Sequence, residues 1–396
     1  TEGFPASLAS SCRDAEKSFI RSHPAFVREP KKERSVMDMF ERFREMLDAH
    51  PSRAPKSETF REILQMLFTP EEVALAVHMS FKPKRVEDIA GAASLSYDEA
   101  AAMLERMAAK AVIFSVEKDG KMLYGLVPTI PGLFEFPFMK GGGTPELKKL
   151  GRLWEAYHRE ALGNAFSGNP TPHVRIVPIS TSIQSVNVVH PCEEVKQMIE
   201  GADYIALAHC ACRVSVERCD APREVCIIFG SHGRFLVERG YAREVGKDEA
   251  LAALMSAEEA GLVHTSNNSA DRPMIICSCC PCCCTILRGR TQLGNLDAFA
   301  PSRFEAEVVS ELCNGCGICS DRRCFFGAVH LDGDKAVVAQ ERCTGCGLCV
   351  SGCPEKAIRL KERAVAPEIP KTAIEMAMKV MQEKGTLERF MHIMQR

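Results

Sequence analysis

No apolar run in this sequence reaches the ~18 residues that a membrane-spanning helix requires, so no membrane span is expected. Tryptophan occurs once and aromatic residues make up only 7% of the chain, which leaves aliphatic side chains and methionine to fill most of the core. Bulk charge of either sign is lacking as well: 50 Lys and Arg nearly balance 52 Asp and Glu, for a net charge of −2. That balance supplies no general attraction for nucleic acid or an anionic membrane. The first residues, TEGFPASLASSCRDAEKSF, show no basic segment followed by an apolar stretch, so no secretory signal is read there and a cytoplasmic location is expected. Nucleotide signatures are missing too. GGGTPELKKL sets glycines before a helix without the preceding strand or the spacing of a phosphate loop, and no CxxCH haem-attachment motif occurs.

What the sequence has in excess is cysteine. Of its 20 cysteines, 19 lie between Cys192 and Cys353, leaving Cys12 alone near the start. Disulfide scaffolds are mostly small secreted domains that cannot build an adequate core, whereas 396 residues suffice for two to four ordinary domains. A run such as CSCCPCCC would also misoxidise in an oxidising compartment. Thiolates held for metal in a reducing cytoplasm are the better reading.

The periodicity predicts an α+β multidomain chain. Residues 1–56 form a helical extension, with Val36, Met39, Phe40, Phe43, Met46 and Leu47 at helical spacing. Residues 57–135 carry helices, with Thr69 and Ser96 as caps, and then a hairpin turning at Asp119-Gly120. That order resembles a winged helix over about 75 residues by pattern alone. Residues 136–300 alternate strands and helices and form a cysteine-rich α/β domain, opened by one helix over 145–166. Residues 301–362 form a ferredoxin-like domain, and 363–396 a single amphipathic helix that packs on a neighbouring domain or a partner.

Two cysteine strings begin 30 residues apart: Cys313-x2-Cys316-x2-Cys319-x4-Cys324 and Cys343-x2-Cys346-x2-Cys349-x3-Cys353-Pro354. Three thiolates at this spacing wrap a tight loop around one cubane and leave its fourth iron for a distant cysteine. The pair of strings resembles the bacterial dicluster ferredoxins, in which the fourth cysteine of each string ligates the other cluster. The resemblance implies one [4Fe–4S] cluster on Cys313, Cys316, Cys319 and Cys353, and a second on Cys343, Cys346, Cys349 and Cys324. The first string departs from the pattern by one extra residue before Cys324 and by Phe325 in place of proline. Zinc is the competing ligand for such spacing.

A second constellation fills the middle of the chain: His209-Cys210-Ala211-Cys212-Arg213 with Cys219 and Cys226, and then Cys277, Cys279, Cys280, Cys282, Cys283 and Cys284. Each half follows an apolar strand, YIALA or MII. If those strands are neighbours, both cysteine sets meet at one sheet edge. Ten thiols exceed what one cubane needs, so one or two further iron–sulfur clusters are expected, with Cys219 and Cys226 sharing one of them. Adjacent side chains diverge along most backbones, so Cys283 and Cys284 are not expected to ligate the same small centre. His209, His232 and Arg213 are candidates for tuning the centre or donating protons, and Cys192 reads as a buried small residue. The string HCxCR…CxCCxCCC is similar to one in uncharacterised proteins of anaerobes that carry a C-terminal dicluster ferredoxin.

These readings point to an iron–sulfur electron-transfer protein working between redox partner proteins. One alternative is a reductase with a small-molecule substrate at the central site, and another is a redox-sensing regulator. No catalytic residue is identified. Nucleic-acid binding is disfavoured: residues 56–130 hold nine Lys and Arg against eleven Asp and Glu, and the candidate recognition helix opens with Asp98 and Glu99.

Overall fold

The computed structural model describes residues 31–179 and 195–395, so Cys12 and Cys192 lie outside the described residues. Contacts divide the chain into a short unit, Thr1–Asp38, and a large one, Met39–Arg396. The described part of the short unit is the start of helix α1 (Lys31–Ala49), and every other element belongs to the large unit. Phe40, Phe43, Met46 and Leu47 form the buried stripe of α1.

Local chemistry sets the next elements. Helix α2 (Glu58–Leu67) starts at Ser57, whose hydroxyl accepts from the Phe60 amide. Reciprocal capping boxes open α3 (Pro70–Ala76), through Thr69 and Glu72, and later α5. Strand β1 (Lys84–Arg85) and α4 (Val86–Ala93) lead into α5 (Tyr97–Ala109), capped by Ser96 and Glu99. Strands β2 (Ile113–Lys118) and β3 (Lys121–Leu126) close on Asp119 and Gly120, both at positive φ, and β3 lies between β1 and β2 in an antiparallel sheet. Phe60, Ile63, Leu104, Met107 and Ile113 are buried in the core of this region. Each such burial contributes ~1.5–3 kcal/mol.

After a short helix α6 (Phe136–Met139), the helix expected over 145–166 is not uniform. It comprises α7 (Pro145–Tyr157), a π turn at His158–Leu162 and α8 (Gly163–Ser167). Trp154 on α7 packs against Phe60 and Phe134, with ring centroids 5.9 and 5.3 Å away, and so joins this helix to α2.

The central region is built on β4 (Val174–Ile176), α9 (Val195–Glu200), β5 (Ile205–His209), α10 (Ala211–Val216) and β6 (Glu224–Phe229). It continues through α11 (Gly230–Glu238), β7 (Arg243–Glu244), α12 (Lys247–Glu259), β8 (Val263–Asn267), β9 (Ile275–Cys279) and α13 (Thr285–Thr291). Its six strands run in the order β4-β8-β9-β6-β5-β7, and every adjacent pair is antiparallel. Strand β5, which leads into Cys210, and the cysteine-bearing strand β9 are therefore not neighbours. Strand β6, a segment the sequence pattern leaves inside a cysteine loop, lies between them. Being antiparallel to both, β6 makes β5 and β9 parallel to each other, and their C-terminal ends meet at one edge. Leu207, Ile227 and Ile276 form one apolar face, covered by Val195 and Ile199 of α9 and by Ala250 and Leu254 of α12.

The C-terminal region contains two antiparallel pairs, β10 (Phe304–Val308) with β13 (Ile358–Glu362) and β11 (Val329–Asp332) with β12 (Lys335–Val338), plus the short helix α14 (Leu348–Ser351). The single terminal helix expected is in fact two, α15 (Ala373–Glu383) and α16 (Leu387–Gln395), because Gly385 at φ +66° breaks the track. On α16, Phe390 stacks on Phe81 and meets His50 edge-on, while Arg389 bonds Asp48 at 3.1 Å. The mixed helices and several small sheets make the architecture α+β.

Candidate metal centres

In the C-terminal region, Cys313, Cys316, Cys319 and Cys353 line one cavity. Cys324, Cys343, Cys346 and Cys349 line another. Each string thus sends its first three thiols to one cavity and its fourth to the other. Gly315, Gly317, Gly345 and Gly347 all have positive φ, and this lets each loop curl around its cavity. Backbone amides donate to sulfur in matched pairs. Ala336 and Ala357 donate to Cys313 and Cys353 at 3.4 and 3.3 Å, and Ala306 and Ala328 to Cys343 and Cys324 at 3.4 and 3.2 Å.

The extra residue of the first string has a local solution. Residues Cys319–Arg323 form a π turn in which the Cys324 amide bonds the Cys319 carbonyl at 3.0 Å, where the second string uses α14. The added residue is absorbed in the turn, and the amide-to-sulfur bond on Cys324 remains. Cys316 is exposed, whereas Cys343 and Cys349 are buried.

At the central sheet edge the ten cysteines fall into two groups. Cys219, on the loop after α10, meets Cys280, Cys282 and Cys283 of the turn after β9, with all four sulfurs within 4.8 Å of one another. The Sγ–Sγ separations are 3.7 Å for Cys219–Cys280, 3.9 Å for Cys219–Cys283 and 3.8 Å for Cys282–Cys283. The other six thiols form a closed ring of neighbours in the order Cys210, Cys226, Cys277, Cys279, Cys284 and Cys212. The expected sharing of one centre by Cys219 and Cys226 is not what the geometry brings together: they fall in different groups. Cys283 and Cys284 also separate, one to each group. The adjacent pair Cys282 and Cys283 stays together, because the turn over 281–283 points both thiols to one side.

Arg213 stands between the groups. It is fully buried, and its Nη1 donates to the Ser278 carbonyl at 2.9 Å and approaches Cys280 Sγ at 3.7 Å. Its Nε and Nη2 have no hydrogen-bond partner, and the thiols of Cys210 and Cys226 lie within its field. Buried N–H donors left without a partner cost free energy unless an anionic group faces them. Hydrogen bonding from Cys283, helped by Arg213 and opposed by burial, pulls the Cys280 thiol down to about 4. Bonds from Cys210 and Cys277 hold Cys226 down to about 5. An arginine beside crowded thiols favours thiolates, the form that ligates metal.

The other candidates behave differently. His209 packs its ring against Gly141 and faces Glu224 across the β5–β6 ladder. His232 packs on Phe114, with ring centroids 5.4 Å apart. Two acidic residues went unread in the sequence. Glu155, on α7, receives Arg218 at 2.6 Å, Arg288 at 2.7 Å and Arg159 at 2.7 Å, which ties the Cys219 loop to α13. Burial works against its charge, but Arg288 and its companions hold the carboxyl below the usual range. Glu135 is pushed up to about 8, chiefly by burial, despite a hydrogen bond from the Gly132 amide. Arg159 is a local partner of Glu155, four residues on, but only long-range packing brings Arg218 and Arg288 to it.

The two cysteine regions touch. The Ile179 amide donates to the Cys346 carbonyl at 3.2 Å, and one apolar cluster contains Cys279, Cys284, Leu287, Phe326 and Leu348, with Cys346 packed against it. The cavity of the second string therefore abuts the six-thiol ring.

Residues 336–359, which carry the second string, match the 4Fe-4S binding domain family. No curated protein and no solved structure matches the chain. The cavity, its four thiols and their amide donors fit the group that this family binds, so the chain carries at least one [4Fe–4S] site within a cysteine-rich protein. No helix among the described residues is long and apolar enough to cross a membrane.

Proposed function

We propose that the protein is a cytoplasmic iron–sulfur electron-transfer protein, with two ferredoxin-type [4Fe–4S] clusters on the C-terminal strings and at least one further cluster at the central sheet edge. The clusters supply one-electron redox chemistry when bound. The observation that carries this reading is the packing of Cys346 against the apolar cluster that contains Cys279 and Cys284, which sets the two cysteine regions side by side. Exposed Cys316, at the opposite cavity, suits a docking face for a redox partner protein. The residues argue for a direction of travel from surface thiols, through the buried second string, to the ring beside Arg213.

The N-terminal region fits a winged-helix-like docking module. Its helix order and its β1-β3-β2 ladder support that layout. Protein rather than DNA is the partner favoured. Glu105 on α5 is engaged by Arg239 of α11, and the Tyr241 hydroxyl donates to the Ala109 carbonyl at 3.2 Å, so the far half of the candidate recognition helix is already covered.

Reduction of a small molecule at the central site is a second reading, favoured by a small pocket lined by Trp154, His158, Thr285 and Arg288. Thr285 Oγ1 stands 3.7 Å from Cys212 Sγ, and Trp154 Nε1 and both ring nitrogens of His158 have no partner. Anaerobic redox titration tests both readings. Relay predicts reduction of all clusters by a low-potential donor and reoxidation by an acceptor protein. A chain that exchanges electrons with no donor refutes relay, and a substrate-induced spectral change confined to the central cluster favours the reductase.

A further inference from the structure

The two groups of central cysteines differ in size, and their size decides what each can hold. In a tetrahedral site with metal–sulfur bonds of about 2.3 Å, neighbouring sulfurs stand about 3.8 Å apart. Cysteine sulfurs on a [4Fe–4S] cubane lie outside the irons and stand roughly 6 Å apart. The separations among Cys219, Cys280, Cys282 and Cys283 are 3.7, 3.8 and 3.9 Å where a contact is made, and no pair exceeds 4.8 Å. Those lengths match the edge of a single-ion tetrahedron and leave no space for four irons. The ferredoxin strings serve as an internal standard. Among the described residues no other group of three thiols closes to within 4.8 Å, so the thiols of the two strings stand farther apart than these four.

We infer that Cys219, Cys280, Cys282 and Cys283 hold one four-coordinate metal ion of the all-thiolate class, zinc, separate from any cluster on the six-thiol ring. The donors suit it: four sulfurs in a tetrahedron select zinc or, as a single ion, iron over harder cations. On binding, four metal–sulfur bonds form, each thiol that still carries a proton releases it, and no electron moves. Four thiolates around a divalent ion leave a charge of −2. Two donors face that charge, Arg213 at 3.7 Å from Cys280 Sγ and the Arg218 amide at Cys283, while Arg218 Nη1 binds the Cys282 carbonyl at 3.4 Å. The ion joins the loop after α10 to the turn after β9; α10 itself carries Cys212 of the ring, and the turn leads directly into Cys284. Its work is to hold the ring's geometry. This inference stands whether or not the protein relays electrons.

The full chain, purified anaerobically, is analysed for zinc and iron, and its metal X-ray absorption is recorded. The expected result is one zinc per chain with four sulfur neighbours at about 2.3 Å and no nearby metal. Cys219→Ser and Cys282→Ser each lose the zinc and keep the iron, whereas Cys226→Ser keeps the zinc and loses iron. A single iron occupying the site gives a loss of one iron in the first two variants, with the spectrum of an isolated tetrathiolate iron, and supports the same coordination. Loss of about four irons from Cys219→Ser or Cys282→Ser overturns the inference, on the four-per-cluster basis of a cubane. If those variants do not fold, the wild-type protein decides it: the absence of both zinc and isolated tetrathiolate iron overturns it equally.

Discussion

The Arg213 guanidinium approaches Cys280 Sγ at 3.7 Å from a position with no solvent exposure, between the four-thiol group and the six-thiol ring. A buried cation beside a centre whose negative charge grows on reduction favours the reduced form. Arg213→Met is expected to lower the central cluster's reduction potential by at least about 60 mV, a tenfold change in a one-electron equilibrium. Arg213→Lys keeps the charge and should recover most of the shift. Potentiometric titration followed by EPR reads both values, and an unchanged potential in Arg213→Met would show that the charge does not act on the cluster.

The crossing of the fourth cysteines has a spectroscopic signature. Cys353 lines the cavity of Cys313, Cys316 and Cys319, and Cys324 lines that of Cys343, Cys346 and Cys349. Cys353→Ser should therefore alter the same EPR signal as Cys316→Ser, and Cys324→Ser the same signal as Cys346→Ser. Pairing within each string instead would contradict the assignment.

Gly345, at φ +67°, has no space for a side chain, because an added Cβ would run into the Phe304 carbonyl oxygen and Ser302 Oγ. Gly345→Ala is expected to lose about four irons per chain, the content of one cluster. Gly333, also at positive φ but facing open space, serves as the control. Gly333→Ala should keep all its iron and cost only about 1 kcal/mol. Iron analysis and denaturant titration distinguish the two.

Lys384 donates to the carbonyls of Pro51 and Phe166, at 2.9 and 3.1 Å, and stands 3.3 Å from His173 Nε2. Burial, and then the charge of Arg53, pulls it from its ordinary 10.5 to about 7, against the attraction of Glu383 and Asp48. Between those two values the unfolded chain binds more protons than the folded one. Stability from this group therefore rises with pH from about 7 to about 10.5, by up to about 1.4 kcal/mol per unit, and is level below 7. Lys384→Met should remove that rise. The difference between wild-type and variant denaturation midpoints from pH 6 to 10 measures it, since titrations common to both cancel.

Much of the fold was legible because its causes are local. Thr69 with Glu72 and Ser96 with Glu99 start helices through hydrogen bonds three residues long, and Asp119-Gly120 closes a hairpin from its own backbone preferences. The missed features are those that neighbours in sequence do not specify. Strand β6 is hidden because it contains Cys226 and follows closely on Asp220 and Pro222, so it merges with the cysteine loop before it. The terminal helix was read as one because Gly385 interrupts an otherwise continuous apolar stripe. Glu155 shows only a local pair with Arg159 in the sequence, since Arg218 and Arg288 reach it from two distant segments.

Spacing along the chain already specifies at least one [4Fe–4S] site: x2 spacing and glycine freedom curl the second string into a cluster loop within a few residues. Only the tertiary structure decided how the ten central cysteines divide. That division depends on β6 entering between β5 and β9, on antiparallel register, and on a turn that swings Cys282 and Cys283 toward Cys219. Sulfur–sulfur distance, which separates a single ion from a cubane, is set by those long-range contacts and not by spacing along the chain.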